Sequence, residues 1–190
     1  MLSDIGTYAH HLLCYITGVE VDEVSAEVGA VAPGQLVDDY AGVMLRLVNG
    51  ARGCIWVTQA AAGMESHLAT RISGSKGTVE WDQADPNSLR YMPIDGPAQT
   101  LTRGGAGNLP LTVRSTRVVK GHPEGFCEAF ANIYGDVDEV ATARRSDQTA
   151  DPLAHHFPTV EDGVSGVGFV EAAVASARAD GAWTDCTIAF

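Results

Sequence analysis

Apolar residues recur along the chain with two different periods. From Asp4 to Thr17, residues Ile5, Ala9, Leu12, Leu13 and Ile16 fall on one side of a helix that Gly18 stops. From Val19 to about Trp81 the spacing becomes that of strands. Val19, Val21, Val24, Ala26 and Val28 mark the first strand, and Val37 to Val48 the second. Ala51 to Ala60 returns as a third through the hairpin turn Asn49-Gly50. His67 to Ser73 and Gly77 to Asp82 read as the fourth and fifth, and short extended pieces follow at Leu89–Ile94 and Gln99–Thr102. Residues 103–121, rich in glycine, read as one long loop. A second helix opens at His122-Pro123-Glu124, with proline in its first turn and an acid near the positive end of the helix dipole. Phe126, Phe130, Ile133, Tyr134 and Val137 form its apolar face. After a polar connection from Asp147 to Pro158, Thr159-Val160-Glu161-Asp162 is a capping-box start. Val160, Val164, Val167 and Val174 follow at helical spacing, Asp180-Gly181 ends this third helix, and Ala182 to Ile188 reads as a last strand.

Helix, antiparallel meander, two helices and a closing strand make an α+β class, a mostly antiparallel open sheet with helices on one face. The other face needs solvent or a partner. The small and β-branched third strand, with Ile55, Val57, Ala60 and Ala61, predicts a second copy of the chain against that face, hence a homo-oligomer.

The 190 residues suffice for one domain, or a large domain and a small appendage, with a sizeable core. Hydrophobic residues make up 45% and charged ones 19%, the balance of an ordinary globular protein. Twelve basic against twenty-four acidic residues leave a net charge of −12, which argues against nucleic acid or an anionic membrane as main partner. No run approaches the roughly 20 apolar residues of a membrane helix. The amino terminus lacks the pattern of a secretory leader, so the expected location is cytoplasmic. Cys14, Cys54, Cys127 and Cys186 form no C-x-x-C pair and lie in apolar stretches, which predicts buried free thiols.

The first helix carries the most chemistry. At about 100° per residue, Asp4, Tyr8, His11 and Tyr15 lie within about 60° of each other, beside the apolar stripe. A carboxylate, a phenol and an imidazole on one edge suit proton handling in a cleft, although a capping aspartate beside packed aromatic residues gives the same pattern. His155-His156 predicts no metal, because adjacent side chains diverge and no third ligand is indicated. Arg103, Arg114, Arg117 and Lys120 suit a phosphate or an acidic ligand, or else a solvated loop in an acidic protein. Glu20, Asp22, Glu23 and Glu27 read as a solvent-facing edge.

The stretch from Asp4-Ile5-Gly6-Thr7-Tyr8-Ala9-His10-His11 to Ile16-Thr17-Gly18 resembles the D-[IV]-G-x-[HY]-x-x-[DNH] helix of the Gfo/Idh/MocA oxidoreductases, which include glucose–fructose oxidoreductase and inositol dehydrogenase. Four further segments resemble the same family in its order. They are Arg46 to Gly53, Ile72 to Trp81, Gly121-His122-Pro123-Glu124-Gly125-Phe126, and Phe157-Pro158-Thr159-Val160-Glu161-Asp162-Gly163. The resemblance implies a single carboxy-terminal domain over residues 1–190, for substrate binding and oligomerisation, without the family's amino-terminal dinucleotide-binding domain. It implies a sugar or polyol substrate, with Asp4 binding hydroxyls, Tyr8 as acid/base, His11 contacting a hydroxyl and His122 on the rim; for His122 a purely local hydrogen-bonding role is the other reading. NAD or NADP would serve the full-length family.

The chain departs from the family in two respects. The nearest approach to G-x-G-x-x-G, Gly105-Ala106-Gly107-Asn108-Leu109-Pro110, ends in proline and does not sit between a strand and a helix. The E-K-P segment with the family's catalytic lysine is also missing. A phenol ionises near pH 10 on its own and needs a cation beside it to work near neutrality. The chain is thus expected to be a truncated product, binding no cofactor and silent by itself. A non-enzymatic reading, a sheet-mediated dimer or carbohydrate-binding module, stands beside this one. A third is a partner of a separately encoded dinucleotide domain.

Overall fold

Residues 1–186 are described by a computed structural model. They form two compact units: Met1–Glu65 together with the stretch from Pro158 onward, and Ser66–Phe157. Both are antiparallel, and the α+β class holds.

In the first unit a π-helical turn, Leu2–Gly6, leads into α1 (Thr7–Thr17), which Gly18 ends in the left-handed conformation with its N–H on the Cys14 carbonyl. The sheet has the order β3-β2-β1-β8, built from β1 (Val21–Gly29), β2 (Tyr40–Leu47), β3 (Arg52–Thr58) and β8 (Thr184–Asp185). Strand alternation sends Val24, Ala26, Ala41, Val43, Leu45, Ile55 and Val57 to one face, where they form a core with Leu2 and with Phe169, Ala172 and Ala173 of the long helix α4 (Val160–Arg178). Of the last predicted strand, residues 187 and 188 lie outside the described residues.

Two faces differ from expectation. Ile55 and Val57 do not line the free side of the sheet. The register pairs them with Val43 and Ala41, so they point into the core, and the free side carries Met44, Cys54 and Trp56, the last 64% exposed. Ala60 and Ala61 lie beyond the end of β3 at Thr58. On α4, Val174 packs against the core but Val160 and Val167 are exposed. The buried stripe is Phe169, Ala172, Ala173 and Ser176, because the bulk of one phenylalanine with small residues around it fits the sheet better than a valine row.

Ser176 does work that the edge of the sheet leaves undone. Among the described residues, β8 pairs with Glu23 and Val24 of β1. One step further, the Ala26 N–H donates to Ser176 Oγ at 2.9 Å, and that hydroxyl donates to the Ala182 carbonyl at 2.6 Å. Ser176→Ala strands the buried Ala26 N–H, while the exposed Ala182 carbonyl keeps the Thr184 hydroxyl as a donor, and should cost roughly 1–3 kcal/mol of stability, read from urea unfolding.

The second unit carries the sheet β4-β5-β6-β7: β4 (Ala69–Gly74), β5 (Gly77–Asp82), β6 (Ser88–Pro93) and β7 (Gln99–Thr102). Register sets Ile72, Val79 and Tyr91 side by side, while the alternate positions Arg71, Glu80 and Arg90 form a ladder with Glu80 paired to both arginines. The predicted loop 103–121 is not featureless, since Pro110–Ser115 form a short helix, α2, with proline at its start. The next helix, α3 (Phe126–Arg145), begins four residues later than expected, because Glu124 is buried and accepts hydrogen bonds from the Arg117 and Val118 N–H groups instead of entering a helical turn. The predicted apolar face of α3 is exposed, Phe126 and Tyr134 most of all. The four cysteines are free, but Cys54 and Cys127 are exposed rather than buried, since they sit on the outer faces of β3 and α3.

Candidate functional site

Asp4 lies in the π-helical turn, and Tyr8, His11 and Tyr15 follow on α1. Asp4 is exposed, Tyr8 is 64% exposed, and His11 is half-buried. Among the described residues no hydrogen bond engages the Asp4 carboxylate or the Tyr8 hydroxyl, which leaves both able to meet a ligand. The His11 ring stacks on Tyr15 with centroids 6.3 Å apart, and its Nε2 stands 4.0 Å from Asp162 Oδ1.

Asp162, read from the sequence only as a helix cap, therefore has two neighbours. Its carboxylate accepts the Thr159 N–H at 2.6 Å and the Thr159 hydroxyl at 2.9 Å. The Thr159 backbone hydrogen bond above all holds it below the usual aspartate range; burial, the next largest effect, opposes this, and the Thr159 hydroxyl and the nearby His11 add to the lowering.

The adjacent histidine is of the opposite kind. His10 is 3% exposed, stacks on Phe169 at 4.7 Å between centroids, and has its Nε2 3.7 Å from Cys14 Sγ. Its Nδ1 is buried without a hydrogen-bond partner. Burial, and secondarily His11, lower its pKa to about 4, so it is a neutral core residue near pH 7. Burial, then the charge of Glu20, pushes the Cys14 thiol up to about 11.

His122 belongs to the second unit. It is exposed and lines a hollow of about 290 Å³ with Asn87, Ser88, Thr102, Arg103, Gly121 and Pro123. The arginines of the preceding stretch are engaged internally. Arg103 pairs with Glu124 at 2.6 Å, and Arg114 with Asp136, Glu139 and Asp151. Arg117 donates from Nε to Asn132. Neither of the two readings of this basic cluster describes Arg103 and Arg114, which are internal struts. Among the described residues, no three His, Cys, Asp or Glu side chains gather as a metal ion requires, and no helix is long and apolar enough to cross a membrane.

Gly105-Ala106-Gly107 lies in a turn after β7, where the Gly105 N–H is taken by the Thr102 carbonyl and the Gly104 N–H by Asn108, so those two amides are not free to cradle a pyrophosphate.

Residues 1–80, less than half of the chain, match the model of the GFO/IDH/MocA C-terminal domain, and the chain is similar to proteins of that oxidoreductase family. An oxidoreductase from Sinorhizobium meliloti is 42% identical, with a TM-score of 0.89 over 95% of this chain and 50% of its own. An inositol dehydrogenase homolog from Azotobacter vinelandii, solved with NADH and myo-inositol, is 29% identical, with a TM-score of 0.85 over 96% of this chain and 48% of its own. YfiI of Bacillus subtilis (strain 168), an uncharacterized oxidoreductase, is 30% identical over 97% of this chain and 48% of its own. The chain thus spans about half the length of these relatives.

Proposed function

We propose that this chain is the substrate-binding and oligomerising domain of an NAD(P)-dependent sugar or polyol oxidoreductase. The observation that carries the reading is the presentation of Asp4 from the π-helical turn and of Tyr8 and His11 from α1 directly after it, with the carboxylate and phenol unengaged among the described residues. The relative with bound myo-inositol and NADH supports the substrate class and the cofactor. Asp4 accepts hydrogen bonds from substrate hydroxyls and orients the ring, Tyr8 moves the proton of the hydroxyl that is oxidised, and His11 contacts another hydroxyl. His122 contacts a polyol from the hollow of the second unit. The dinucleotide is held by protein that the described residues do not supply, and the chain alone turns nothing over.

The test joins the whole chain behind the dinucleotide domain of a close relative and measures polyol oxidation. Tyr8→Phe should then lower kcat on the order of a hundredfold. Unchanged turnover of every accepted polyol would overturn the role given to Tyr8.

The free side of the first sheet, with Met44, Cys54 and Trp56, takes a second copy of the chain. Sedimentation should report an oligomer that Trp56→Glu dissociates; a wild-type chain that stays monomeric at high concentration rules this face out.

A further inference from the structure

The hollow beside His122 contains an arginine whose charge is already answered. Arg103 is 14% exposed and Glu124 5%, and their side chains meet at 2.6 Å. The rest of the guanidinium is equally engaged: Nε donates to Asn87 Oδ1, Nη1 to the Val118 carbonyl and Nη2 to the His122 carbonyl, each at 2.7 Å. Asn87 is itself held, with its Nδ2 donating to the Glu124 carbonyl at 2.9 Å. Glu128 also lies close enough to feel the Arg103 charge.

This arrangement bears on which ligands the hollow accepts. A free arginine on the wall of a small polar hollow would attract a phosphate or a carboxylate, because charge-assisted forked hydrogen bonds are the strong ones. Here an anion would have to break contacts to three neutral protein groups and compete with a buried carboxylate. The remaining wall offers uncharged polar groups, Ser88, Thr102 and the backbone around Gly121, together with His122. We infer that Glu124 is a specificity-determining residue: by neutralising Arg103 it makes the hollow a site for an uncharged polyol and closes it to phosphorylated or acidic sugars. The inference rests on the reading that His122 contacts a polyol, and adds to it the charge class of the ligand and the residue that sets it. Arg103 is a positioning residue in this account, since it holds the His122 backbone and its charge is open to a ligand in the hollow only if Glu124 is removed.

Two pairs of probes test this on the full chain by NMR titration: myo-inositol against myo-inositol phosphate, and D-glucose against glucose 6-phosphate. The wild-type chain should bind the neutral member of each pair about tenfold more tightly. Glu124→Gln, which keeps an acceptor but removes the charge, should shift that ratio about tenfold toward the phosphate. Arg103→Gln combined with Glu124→Gln removes both charges and should restore the wild-type ratio. A purely structural role for the pair would weaken both probes alike and leave the ratio where it was, which would overturn the inference and leave the polyol reading standing. A wild-type chain that prefers the phosphates overturns it as well, whether or not any variant folds. If no probe binds, or if His122→Ala leaves every affinity unchanged, the reading of His122 itself fails and the inference falls with it.

Discussion

Phe169→Ala should lower the stability of the chain by about 4 kcal/mol. The ring is 0% exposed and is the largest side chain in the core of the first unit, where α4 meets the sheet. Its removal loses the transfer free energy of an entire buried ring and leaves a cavity that the backbone of a sheet-bound helix cannot collapse to fill. It also removes the partner on which His10 stacks at 4.7 Å. Phe169→Leu keeps most of the volume and should cost less than half as much. Urea unfolding followed by far-UV circular dichroism reads both values. A loss below about 1 kcal/mol for the alanine variant would mean that α4 is not anchored through this residue.

What was legible in the sequence was what local chemistry dictates. β5 and β7 lie at the residues that the alternation marks, Gly77–Asp82 and Gln99–Thr102, and Thr159 and Asp162 cap α4 through a reciprocal pair of hydrogen bonds. The face of β3 was not legible. Ile55 and Val57 alternate with Cys54 and Trp56, and four consecutive apolar side chains do not say which pair faces the helices; the pairing with Ala41 and Val43 decides it. The start of α3 was misplaced for a similar reason. Glu124 reads as a good first-turn acid until Arg103, far back in the chain, claims its carboxylate. At the first helix the motif singled out Asp4, Tyr8 and His11, but nothing in His10-His11 tells which imidazole is buried. That depends on the ring of Phe169, more than a hundred residues away, and so does the pH response of the fold.

Acidification from neutral pH toward 4 should remove about 3 kcal/mol of stability through His10 alone. Its pKa is lowered from 6.5 to about 4 in the folded chain, because the charged ring would be desolvated against Phe169 with an unpartnered Nδ1, and His11 adds a smaller repulsion. The unfolded chain therefore binds a proton that the folded chain refuses throughout this interval. Stability is undiminished above about pH 6.5, falls as the pH drops, and levels off for this residue below about 4. The Asp162 carboxyl, held below its ordinary range, acts in a different window: its contribution is lost only as the pH falls beneath the usual aspartate value. His10→Leu separates this residue from the carboxyls. It removes the titrating ring while keeping an apolar side chain against Phe169, so the loss of stability between about pH 6.5 and 5 should disappear, and the loss at lower pH from Asp162, Glu128, Glu139 and Glu161, all held below their ordinary range, should remain. A wild-type curve already flat across that interval would show that water reaches Nδ1 and that His10 is not held neutral by the core.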